Sequence, residues 1–109
     1  MKEVKAFIKP VKLPEVTHIL HHLDGITGVS IVKVQDLGWR KSKDLPFRGD
    51  EDDIEEIPHI KVEVICEDYI TEEVITTIEK SAHTGERGDG IIYVSNIEKL
   101  IQIKTGKTF

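Results

Sequence analysis

The pattern that most limits the fold of this 109-residue chain is a strand–helix–strand succession that occurs twice, once on each side of a long charged stretch. Residues 2–9 alternate, with Val4, Ala6 and Ile8 on one face, as a half-buried strand does. Pro10 brings no N–H to a ladder and ends it. From Leu13 the apolar positions Val16, Ile19, Leu20 and Leu23 follow helical spacing. Pro14 suits the first turn of that helix and Gly25 its stop. Residues 29–35 are β-branched and read as a second strand. The second round begins after Pro58, where Ile60, Val62, Val64 and Cys66 alternate. Thr71 is then expected to cap a helix that turns Val74, Ile75 and Ile78 inward, with Glu72 and Glu73 in its first turn. A Gly-rich loop leads to a strand at about 91–95, a helical turn near 97–100 and a last short strand at about 101–104.

This order predicts an α+β fold on the ferredoxin-like split βαβ plan: an antiparallel four-stranded sheet with both helices on one face. The length fits one domain, residues 1–109. The face without helices carries residues such as Phe7 and Ile65 and requires a partner, so a small homo-oligomer is expected. Residues 36–57 read as a long connection, of the kind that is functional when a compact domain contains one. It holds the run Asp50-Glu-Asp-Asp-Ile-Glu-Glu56, with six carboxylates in seven residues. That run reads as a solvated charge cluster, a hard-cation site or an acidic handle for a basic partner. The net charge of −5, with no basic stripe, excludes broad nucleic-acid binding. The single cysteine, Cys66, lies in an apolar alternation and reads as a small core residue in a reducing compartment. No apolar run approaches the ~20 residues a bilayer requires, and no signal peptide opens the chain. The expectation is a soluble, cytoplasmic protein without membrane insertion.

The stretch most suggestive of a ligand is Thr84-Gly-Glu-Arg-Gly-Asp-Gly90, which runs straight into Ile-Ile-Tyr-Val. Three glycines allow positive φ and close approach of backbone to a ligand, and successive N–H groups in such a turn can converge on an anion. Asp89 reads as a turn residue rather than a catalytic acid, because no nucleophile accompanies it. His83 suits the end of the second helix. On the first helix, Glu15, His18 and His22 fall one above another, with His21 alongside, opposite the apolar stripe. Such a set suits a divalent metal (Zn²⁺, Cu²⁺ or Ni²⁺) or is simply a solvated face. No Ser/His/Asp or Cys/His set has supporting context, so no enzyme is expected.

Several segments together resemble the P-II signal-transduction family over nearly the whole length. They are Met1-Lys-Glu-Val-Lys-Ala-Phe-Ile-Lys-Pro-Val-Lys-Leu13, Gly25-Ile-Thr-Gly28, Phe47-Arg-Gly49, Thr84-Gly-Glu-Arg-Gly-Asp-Gly-Ile-Ile-Tyr-Val94 and Thr105-Gly106. The resemblance implies a homotrimer with a cleft between neighbouring subunits that binds adenine nucleotide (ADP, AMP or ATP) as effector. It implies that loop 37–57 docks on an effector protein, an enzyme or a membrane transporter, as in regulation of nitrogen metabolism. By position, Phe7, Ser30, Glu63, Val64 and Ile65 would serve the base end. Gly38, Trp39, Arg40, Arg87, Gly88, Asp89, Gly90 and Lys104 would serve the phosphate end.

The chain departs from that family in its cations. The phosphate-holding lysine after the Gly-rich loop is Ile91 here, and the two arginines of the last strand are Gln102 and Lys104. Each lost charge-assisted contact removes ~1.5–3 kcal/mol, so a mono- or diphosphate is expected to bind better than a triphosphate. Arg40 and His59 stand at positions through which the family holds 2-oxoglutarate, so sensing of that acid is not expected. Asp52 stands where some relatives carry a modified tyrosine, so uridylylation there is excluded. Two alternatives remain open from sequence. One is an accessory protein of a metal or bicarbonate transport system, binding metal through the helix histidines or the acidic loop. The other is a structural role with an empty cleft.

Overall fold

A computed structural model of the chain describes residues 1–38 and 55–109, with side chains described outside 36–57. Four strands form one sheet: β1 (Lys2–Ile8), β2 (Ile26–Gly38), β3 (Glu55–Cys66) and β4 (Ile91–Asn96). Their order is β2-β3-β1-β4, every pair antiparallel, so β2 and β4 are the two edges. Helices α1 (Leu13–Leu20) and α2 (Thr71–Ala82) pack on one face. The expected split βαβ plan is therefore the observed one.

Register places one apolar row against the helices. Val4, Ala6 and Ile8 of β1 lie opposite Val64, Val62 and Ile60 of β3. Val16 and Leu20 from α1, and Val74 and Ile78 from α2, close over that row. Cys66 is fully buried in the same cluster, as the alternation predicted. Burying each such side chain contributes about 1.5–3 kcal/mol, and this layer fixes which way every strand faces.

The local differences from the sequence reading have physical causes. Pro10 opens a 3-10 turn (Pro10–Lys12) that runs directly into α1, so the chain enters the helix without an extended linker. Helix α1 stops at Leu20, and the N–H groups of His22 and Leu23 bond to the carbonyls of Ile19 and Leu20, both at 3.1 Å. This tightened end still packs Leu23 on the core, while Ile19 turns outward. Thr71 does not cap α2. A 3-10 turn (Asp68–Ile70) leads in, Ile70 is the capping residue, and the Thr71 hydroxyl donates back to the Glu67 carbonyl at 3.2 Å. His83 does stand at the C-cap of α2.

The largest differences concern β2 and β3, which are longer than their sequence signals. They pair from Ile26↔Cys66, past a bulge at Thr27, to Gly38↔Glu55. Residues 36–38 and 55–57, expected in the loop, are strand. β1 supports β3 only as far as Ile8↔Ile60. Beyond that pair β2 and β3 continue as a two-stranded ribbon, and Pro58 is tolerated because β3 has no second neighbour there. The helical turn expected at 97–100 is absent. The expected last strand reduces to one bridge, Ile101↔Thr108, because its only neighbour among the described residues is its own return.

Candidate functional site

The Gly-rich loop joins α2 to β4 and is held closed by its own aspartate. The Asp89 carboxylate accepts the N–H groups of Thr84 and Gly85, each at 2.9 Å, and the Thr84 hydroxyl. Lys9, at the end of β1, places its ammonium 3.3 Å from that carboxylate and 3.0 Å from Thr84 Oγ1. The Glu86 N–H adds a 3.1 Å bond to the same hydroxyl oxygen. The Thr84 hydroxyl above all, then the Thr84 and Gly85 amides and Lys9, hold the Asp89 carboxyl well below the usual carboxylate range. Asp89 is thus the turn residue the sequence suggested, with its side chain directed into the loop rather than towards a ligand.

The other end of the loop is fixed by close approach. Gly90 has φ +99°, and a Cβ there would lie 1.7 Å from the Phe7 carbonyl oxygen. Only glycine lets the loop sit this tightly on β1. Gly88 has φ +87°, so the chain reverses within two residues. Among the described residues, the N–H groups of Gly88, Asp89 and Gly90 donate to nothing. Three successive donors in a loop clamped at both ends are groups of the kind that can serve an anion.

The residues expected at the base end separate by face. Phe7, Ser30, Glu63 and Ile65 share the sheet face opposite the helices, since Ser30 pairs with Glu63 and Phe7 with Lys61. Val64 is 0% exposed and faces the helices, in a strand paired on both sides, so its side chain does not reach the open face. The open face is lined with ion pairs: Lys5–Glu3 at 3.0 Å and Lys61–Glu63 at 2.9 Å. The hydrogen bond that the Lys5 ammonium donates to the Glu3 carboxylate is the main cause that raises its pKa above the ordinary value. Phe7 sits between the rings of Tyr93 and His59, at centroid distances of 6.2 and 6.5 Å. His59 is 7% exposed, and its Nε2 lies 2.8 Å from the Gly88 carbonyl oxygen.

At the phosphate end, Arg87 is exposed on the loop and Lys104 is exposed in the turn of the terminal hairpin. Ile91, which replaces a cation in the resemblance, is 63% exposed and apolar. Gly38 pairs with Glu55 at the tip of the described ribbon. Trp39, Arg40, the Phe47-Arg-Gly49 segment and Asp50–Ile54 lie outside the described residues. A groove of about 380 Å³ runs between the last turns of α2 and the start of β4, floored by Ile75, Ile78 and Ile92. It opens on the helix side of the sheet and reaches Phe7, Asp89 and Gly90 at its end, but Ser30, Glu63 and Ile65 do not line it.

Of the set expected to suit a metal, two members come together and the third is engaged elsewhere. His18 and His22 are neighbours, with ring centroids 5.0 Å apart, but the Glu15 carboxylate turns to the Lys12 ammonium at 3.4 Å. His22 lies two residues beyond the helix end at Leu20. No group of three or more His, Cys, Asp or Glu among the described residues is placed to hold a metal ion. No helix among them is long and apolar enough to cross a membrane. Sequence reasoning missed Lys9 and His59 as fasteners of the Gly-rich loop. Their partners lie 75 and 29 residues away, beyond any local pattern.

Comparison with known proteins agrees with this geometry. The family model described as nitrogen regulatory protein P-II matches residues 1–107. The chain is 39% identical to the nitrogen regulatory protein P-II of Azospirillum brasilense over 107 residues, covering 98% of this chain and 95% of that protein. It is 41% identical to that of Rhizobium meliloti (strain 1021) over 108 residues, covering 99% and 96%. It is also 41% identical to that of Pyropia yezoensis over 105 residues, covering 96% and 93%. The match takes in the Gly-rich loop and every strand and helix, and the chain belongs to the nitrogen regulatory protein P-II family.

Proposed function

We propose that the chain is a P-II-type regulator of nitrogen metabolism that seats a small anionic effector, an adenine nucleotide, on its Gly-rich loop. The observation that carries this reading is the row of N–H groups at Gly88, Asp89 and Gly90 that have no acceptor among the described residues, in a loop pinned by Asp89 and Lys9. Donors fixed in advance lose little freedom on binding, and an anion is the ligand they suit. The base of the nucleotide takes the open face beside Phe7, Ser30, Glu63 and Ile65. One subunit offers only one wall there, so a neighbouring copy in a homotrimer supplies the second. Segment 37–57 carries the response to an enzyme or a membrane transporter, because an effector signals only when it favours one arrangement over another. As a member of a family of regulators the chain is not an enzyme.

The cation set favours a mono- or diphosphate over a triphosphate. An apolar residue at position 91 and a lysine at 104 leave fewer charge-assisted contacts, each worth ~1.5–3 kcal/mol. Hydrogen exchange with ADP, AMP and ATP at millimolar concentration tests the reading. ADP is expected to protect residues 84–91 strongly and ATP no better than ADP. Unchanged exchange across 84–91 with all three nucleotides overturns it.

A further inference from the structure

We propose that His59 is a positioning residue whose ring N–H holds the Gly88 carbonyl, orienting the Asp89 N–H and tying the Gly-rich loop to the root of the β2–β3 ribbon. The inference rests on the reading of that loop as an anion seat, and four observations support it.

The first is position. Ile8↔Ile60 is the last pair by which β1 supports β3, and His59, paired with Val34, is the next residue outward. His59 therefore stands where the four-stranded sheet becomes a two-stranded ribbon. The second is burial. By alternation His59 shares the open face with Lys61, Glu63 and Ile65, which are half-buried, yet it is 7% exposed. The Phe7 ring packs edge-on to it, with centroids 6.5 Å apart. A polar ring so enclosed requires hydrogen-bond partners.

The third is the direction of the bond. A carbonyl oxygen only accepts, so at 2.8 Å the proton is on Nε2 and the histidine donates. The 88–89 peptide is trans and planar, so turning the Gly88 carbonyl towards His59 turns the Asp89 N–H to the opposite side. That N–H is one of the three donors without an acceptor among the described residues. The fourth is what else holds the loop. Asp89 and Lys9 clamp its beginning, and the close approach of Gly90 to Phe7 fixes its end. Gly88, with φ +87°, is the joint between these fixed points, and the His59 bond is what sets its carbonyl. An anion drawing on the Asp89 N–H thus strengthens the Gly88 carbonyl as an acceptor for His59, and the load reaches β3 directly.

The test uses the full chain with His59→Phe, which keeps ring bulk against Phe7 and removes the donor, and His59→Gln, which restores an N–H. Exchange is followed at 84–91 and 55–60, with and without ADP, and ADP affinity is read by calorimetry. Without ligand, His59→Phe is expected to exchange faster at 86–90 while 60–66 stays at the wild-type rate. With ADP, the wild type gains protection at both segments. His59→Phe gains it at 84–91 only, with affinity down about fivefold for one lost hydrogen bond, and His59→Gln recovers both. Wild-type affinity together with wild-type protection of 55–60 in His59→Phe overturns the proposal. If the wild type itself binds no nucleotide, the reading of the loop fails. The ligand-free comparison then still decides the fastening, since equal exchange at 86–90 in wild type and His59→Phe refutes it.

Discussion

Gly90 and Asp89 do opposite jobs in one turn: the first permits contact by having no side chain, the second imposes shape through its own. Adding a methyl at position 90 sets a Cβ 1.7 Å from the Phe7 carbonyl oxygen, at a φ that L-residues rarely adopt. Gly90→Ala is expected to destabilise the fold by at least about 2 kcal/mol, read from urea unfolding, because neither backbone can yield alone. Asp89 makes a pH prediction. Its carboxyl titrates below its ordinary value in the folded chain, so its contribution is complete above about pH 4, the unfolded value. That contribution is lost as pH falls through the depressed folded value. The amides of Thr84 and Gly85 are expected to stay protected down to that acid limit in the wild type. In Asp89→Ala they exchange faster at every pH, as amide-resolved exchange would show. The loop itself was legible in the sequence, because three glycines and an aspartate advertise a turn. Lys9 and His59 were not, since their meaning exists only once β1, β3 and the loop share one end of the sheet.

At the scale of elements, periodicity sufficed wherever an element has one wet and one dry face. β1, α2 and the inner half of β3 came out as their apolar spacing required, because the core layer enforces that spacing. Ile78 lies at the centre of that layer with no exposure, and Ile78→Ala is expected to cost about 2–5 kcal/mol in chemical denaturation. Ile78→Val is expected to cost no more than about 1.5 kcal/mol. The ribbon was illegible for the converse reason. Residues 36–38 and 55–57 have no core to face, so their strand form is carried by backbone pairing alone, which leaves little mark on composition. Thr71 misled because a 3-10 turn, which single-residue capping signals do not distinguish from a loop, already brings the chain into α2. The histidine set on α1 was legible in part: spacing brings His18 and His22 together, but it did not show that Glu15 turns to Lys12.

The whole molecule is asymmetric across its sheet: one face is closed by two helices, and the other shows Phe7, Ile65, Tyr93 and a lattice of ion pairs. The terminal hairpin adds Ile103, 98% exposed. A chain with this distribution is expected to sediment as a trimer, and Ile65→Arg, which sets an unpaired cation on the open face, to shift it towards single subunits. A trimeric Ile65→Arg at micromolar concentration would remove that face from the contact. β4 gives the separated subunit a further property. Its outer rim is a run of Ile-Ile-Tyr-Val that has no neighbouring strand among the described residues. Such a rim is a template for any extended peptide, and here no proline or lysine blunts it. A subunit held apart from other copies is therefore expected to aggregate through this rim, which thioflavin fluorescence of a monomeric Ile65→Arg chain would show. An assembly that covered this rim would guard solubility as well as complete a pocket.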